Sequence, residues 1–201
     1  RVLMNFTPTD PRDIRLRNYD LENLASMLRT ISRELQFGTF DLTAFNMQQE
    51  RVIFEQDASP RIDFPALGKA VETIEAGTVD FDQPADKTSG GRFLGSLLKK
   101  SFSSENSKLD ALVILGPKLV LGQRVSVGKP DKGDNFNVPT FYFVYDPTPS
   151  AYPWSGTISE ALKSRNVFEY SITVPKDLTS AMGDMLRRLR NDSLEVRVSG
   201  K

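Results

Sequence analysis

Histidine and cysteine are absent from this chain of 201 residues. Their absence removes several chemistries at once: Ser-His-Asp and Cys-His nucleophilic catalysis, zinc ligation by imidazole or thiolate, iron–sulfur clusters and thiol redox work. Carboxylate, lysine, tyrosine and threonine chemistry are what remain. An excess of charge of one sign is missing too, because 26 Lys and Arg balance 26 Asp and Glu. These charges alternate along the chain and gather into no basic run, so a polyanion such as nucleic acid is not an expected partner. No apolar run approaches the ~20 residues that span a bilayer. The pair Gly90-Gly91 opens a helical segment, but no G-x-G-x-x-G and no Gly-Lys-Ser/Thr accompanies it, which argues against a phosphate cradle.

What is present reads as one α/β domain over residues 1–201, long enough to bury a core through one sheet and its helices. Arg1–Phe6 is a short strand that runs into the proline-bearing turn Thr7–Pro11. Asp20 is placed as an N-cap, with Tyr19 and Leu24 as a hydrophobic staple. Leu21, Leu24, Leu28, Ile31 and Leu35 then recur at three- and four-residue spacing, one apolar stripe of a helix that Gly38 stops. Thr39–Phe45 and Arg51–Glu55 read as an antiparallel hairpin, with alternation in the first strand and a link over Asn46–Glu50. Phe64–Glu75 is helical, with Pro65 tolerated in its first turn and Gly77 beyond its end.

Thr78–Ser89 is a polar loop, followed by a helix from about Gly91 to Phe102 that buries Phe93, Leu94, Leu97 and Leu98. Leu109–Leu115 is a nearly continuous apolar run, as a strand buried on both faces of a parallel sheet should be, and Thr140–Tyr145 is a second, aromatic one. Thr157–Lys163 reads as a short helix, Val167–Val174 as a strand, and Lys176–Arg190 as a closing helix packed through Leu178, Ala181, Met182, Met185, Leu186 and Leu189. Leu194–Val198 is either a small added strand or a frayed end. This order predicts a doubly wound, mostly parallel central sheet, Rossmann-like, with one antiparallel edge strand and helices on both faces.

Gly90-Gly91-Arg92-Phe93-Leu94-Gly95-Ser96-Leu97-Leu98 resembles the Gly-Gly-Thr-x-x-Gly-x-Ala-Leu segment of von Willebrand factor A domains, and Phe45-Asn46 resembles the pair that ends their second strand. The order of elements is similar as well. In that family a threonine at the position of Arg92 ligates a divalent metal, together with an Asp-x-Ser-x-Ser motif after the first strand and an aspartate after the fourth. The resemblance places those positions on Asn5, Thr7 and Thr9, on Arg92 and on Pro117. Both anionic ligands are therefore replaced, by an amide and by proline, and a permanent cation stands where the threonine would. A hard dication needs anionic oxygen ligands and is repelled by a guanidinium. The resemblance thus implies the fold of the family with its metal site abolished: no metal, no cofactor. It departs from the family at 119–139, where a helix is usual and this chain has a β-rich, glycine-rich insertion or loop.

Each candidate residue has two readings at this level. Arg92 is either a built-in cation in place of the metal, forked onto Asp10, Asp13 or Asp146, or a helix-end arginine in water. Asn5, Thr7 and Thr9 either keep a polar binding face at the carboxyl edge of the sheet or satisfy neighbouring backbone in a turn. Tyr142 and Tyr145 belong to a strand and to the core, which leaves Tyr152 and Trp154 as candidate protein-contact residues on a loop stiffened by Pro147, Pro149 and Pro153. The expectation is a non-catalytic, metal-independent interaction domain that meets a protein partner through loops at the carboxyl edge. A small α/β enzyme using Asp10, Asp13 or Asp146 as acid or base is the alternative, and a purely structural domain of a longer chain is a third. The start at Arg1, not Met, suits a mature or trimmed piece, and zero cysteine suits a bacterial secreted, periplasmic or envelope setting.

Overall fold

Continuous apolar segments become the middle of a six-stranded sheet. The computed structural model describes residues 1–7, 18–35, 38–47, 49–76, 89–103, 109–117, 138–145 and 166–198. Its strands are β1 (Val2–Asn5), β2 (Phe40–Asn46), β3 (Arg51–Ser59), β4 (Leu112–Pro117), β5 (Thr140–Tyr145) and β6 (Val167–Ile172), in the order β3-β2-β1-β4-β5-β6. β1 pairs in parallel with β2 and β4, β4 with β5, and β5 with β6; β3 alone runs antiparallel, along β2. The helices are α1 (Asn18–Glu34), α2 (Phe64–Ala76), α3 (Ser89–Phe102) and α4 (Pro175–Val198). This is the doubly wound α/β architecture read from the sequence, with one antiparallel edge.

Alternation along each strand divides the core into two layers. Val2, Met4, Leu42, Ala44, Val113, Leu115, Phe141 and Phe143 face α1, α2 and α4, where Leu24, Leu28, Ile31, Leu67, Leu178, Met182 and Met185 meet them. Leu3, Phe45, Leu112, Ile114, Tyr142 and Val144 face the other way, toward Leu94, Leu97, Leu98 and Phe102 of α3. Each fully buried side chain of this size contributes ~1.5–3 kcal/mol through its removal from water. The alternation expected in β2 is not one of exposure: β2 lies between two strands and under helices on both sides, so six of its seven residues are buried.

Several boundaries differ from expectation, each for a local reason. α1 begins at Asn18, so Asp20 lies inside the first turn and not at the cap, and Tyr19 is helical and does not precede a cap. β3 runs on past Glu55 to Ser59, stopping where Pro60 offers no N–H to a ladder. β4 starts three residues later than expected and ends on Pro117, again a residue that cannot donate onward. β6 stops at Ile172, because Thr173 and Val174 are already committed to capping α4. α3 begins at Ser89, taking the last residue expected to be loop.

The segment Leu194–Val198 is neither strand nor frayed: α4 continues through it, and no proline follows Pro175 and no glycine follows Gly183 within the helix to stop it earlier. The start of α4 explains its placement. Pro175 takes the first helical position, and the Asp177 carboxylate accepts from the backbone N–H groups of Thr173 (2.9 Å) and Val174 (3.0 Å) and from the Thr173 hydroxyl (2.6 Å). α2 is capped by Asp63, whose carboxylate accepts the Ala66 N–H at 2.9 Å. The expected helix at Thr157–Lys163 and all but Val138 and Pro139 of the 119–139 insertion lie outside the described residues.

Candidate functional site

Strand order reverses between β1 and β4: the chain goes from β1 outward to β2 and β3, then returns to β4 and proceeds outward to β5 and β6. In open α/β sheets the crevice beyond the carboxyl ends of two such strands is where ligands bind. Here those ends are Asn5-Phe6-Thr7 and Gly116-Pro117. Among the described residues its floor is filled. Asn5 and Thr7 are both 0% exposed, and a Cβ placed on Gly116 would lie 2.8 Å from the Asn5 Cβ. Glycine is needed there because Asn5 fills the space that any side chain would take.

The polar atoms that close the crevice are satisfied by one another. The Asn5 Oδ1 accepts from the Thr7 backbone N–H at 3.0 Å and from the Thr7 hydroxyl at 2.5 Å. The Thr7 Oγ1 in turn accepts the Met47 N–H at 2.8 Å. The Asn5 amide nitrogen points to the Met47 sulfur, 3.7 Å away, a weak acceptor. The neighbouring Asn46, 1% exposed, donates to the Phe6 carbonyl at 3.3 Å and accepts the Gln49 N–H at 3.0 Å. The Phe6 N–H reaches the Phe45 carbonyl at 2.7 Å. The ends of β1 and β2 are therefore tied by neutral side chains to backbone, which is turn chemistry carried into the interior. On the β4 side, the Tyr142 hydroxyl donates to the Pro117 carbonyl at 3.0 Å.

This arrangement does little chemistry by itself. The Thr7 proton is committed to Asn5 and one of its lone pairs to Met47, and none of Asn5, Thr7, Asn46 or Pro117 titrates in water. Among the described residues no three Asp, Glu, His or Cys side chains gather as a metal site would require.

The sequence-predicted residues divide accordingly. Asn5, Thr7 and Pro117 come together at the crevice. The backbone of Arg92 lies in the first turn of α3, and the Phe93 ring packs on Phe45 (centroids 6.4 Å apart), which sets that turn beside the carboxyl end of β2. The Arg92 side chain, and Thr9, Asp10, Asp13, Asp146, Tyr152 and Trp154, lie outside the described residues. Tyr142 and Tyr145 are buried, on opposite layers of the core. Met47 and Gly116 escaped sequence reasoning as parts of the site. A glycine at the end of the apolar run 111–115, directly before proline, was the available signal for a close backbone approach.

A cluster of described groups with shifted acidity sits elsewhere, on β6 and α4. The Tyr170 hydroxyl donates to Asp184 at 2.6 Å, and the guanidinium groups of Arg187 and Arg188 reach the same carboxylate at 2.6 Å each. The Tyr170 hydroxyl and the Arg188 guanidinium beside it hold Asp184 down to about 2, while partial burial, followed by the adjacent carboxylate, pushes Tyr170 up to about 12. Arg188 also lies 4.0 Å above the Phe168 ring. At the carboxyl end of β6, Asp177 is likewise held below the usual carboxylate range, first by the Thr173 hydroxyl and then by the capped N–H groups.

No protein-family model, curated protein or solved structure matches this chain. Among the described residues no helix is long and apolar enough to cross a membrane.

Proposed function

We propose that this chain is a non-catalytic, metal-independent protein-interaction domain similar to von Willebrand factor A modules, of a bacterial secreted or envelope protein. It takes no cofactor, and it meets its partner through the loops at the carboxyl edge of the sheet. The closed crevice between β1 and β4 carries this reading: the place where an open α/β sheet would hold a ligand is filled by Asn5, with its oxygen spent on Thr7. The strand order, with β3 as its antiparallel edge, and the Gly90–Leu98 motif are what support the likeness to that family. In this reading Arg92 stands where a metal would, with Asp10, Asp13 or Asp146 as its carboxylate partner, and Tyr152 and Trp154 supply rigid aromatic contact.

A purely structural domain of a longer chain is the second reading. It is favoured by the same internal satisfaction of Asn5, Thr7 and Asn46, which leaves these polar groups nothing to offer a partner. A photo-crosslinking amino acid at Tyr152 or Trp154, compared with one at the exposed Lys69 of α2, separates the two. The interaction reading predicts one discrete adduct from the loop positions and none from position 69. Equal or no labelling from both places contradicts it.

A further inference from the structure

We draw no further inference here: the strongest candidate, the outer edge of β6 (Val167–Ile172) as a place where another strand could add to the sheet, carries nothing because no described residue shows what covers that edge.

Discussion

The crevice between β1 and β4 and the seam between β6 and α4 treat the same problem, polar groups beside an apolar core, in opposite ways. The crevice uses buried neutral groups: Asn5 and Thr7 are tied to each other and to backbone, and Asn46 to backbone. The seam uses charge: one carboxylate serves a tyrosine and two arginines at a half-buried surface. Burial explains the division. A charge withdrawn from water costs several kcal/mol unless it is fully paired, whereas a hydrogen-bonded amide or hydroxyl costs little. At the seam water still screens the ions, so the cluster is cheap to keep and modest in its contribution. The lesson is that the described polar groups at the crevice serve the fold, which is why the proposed function assigns recognition to the loops around it.

The comparison can be broken at its tightest point first. Gly116→Ala puts a methyl 2.8 Å from the Asn5 Cβ, the root of a buried side chain that can move only with its strand. The expected loss is about 1–3 kcal/mol, as for other overpacked cores. Urea unfolding of the variant measures it, and an unchanged midpoint would mean that the crevice is open.

Thr7→Val keeps the shape and removes the hydroxyl. It leaves the Met47 N–H without its acceptor and the Asn5 oxygen with one donor in place of two. A cost of about 1–3 kcal/mol is expected for buried groups left unmade. Amide hydrogen exchange at Met47 should accelerate in the variant while exchange in β5 does not.

The smallest effect is expected at the seam. Asp184→Asn should cost about 1 kcal/mol or less, because its arginine partners are largely exposed. Its signature is the pH dependence. Asp184 is held at about 2 in the folded protein, below the ~3.9 of an unfolded chain. The stability it contributes is therefore fully present above that unfolded value and is lost as pH falls toward 2. The variant's unfolding free energy should change less with pH between ~4 and 2 than that of the unsubstituted protein. Equal slopes would remove Asp184 from the account.

The layers of the fold were legible where burial imposes a pattern. Leu24, Leu28 and Ile31 announced the inner stripe of α1, and the run Leu109–Leu115 announced a strand covered on both faces, which begins at Leu112. Elements failed at their ends, where the sequence rule is weaker than the neighbour: β3 runs to Ser59, and α4 continues through 194–198, where a small strand or a frayed end read equally well. At the site, the types and places of Asn5, Thr7 and Pro117 could be read, but their partners could not. The contact of Asn5 with Gly116 joins positions on strands far apart in sequence that become neighbours only through the crossover, and the Thr7–Met47 bond joins the ends of β1 and β2. The Tyr170–Asp184 pair likewise needs the helix to return over its strand. Such contacts are set by topology, and one-dimensional spacing does not contain them.

The central proposal, that a crevice filled by neutral groups takes no metal ion, is tested most directly by calorimetric titration of the protein with Mg²⁺, Mn²⁺ and Ca²⁺, with thermal unfolding at the highest concentration of each. The account predicts heats no larger than dilution and an unchanged midpoint. Saturable binding of any of the three, with a midpoint that rises with concentration and a response abolished by Asn5→Ala, would contradict it.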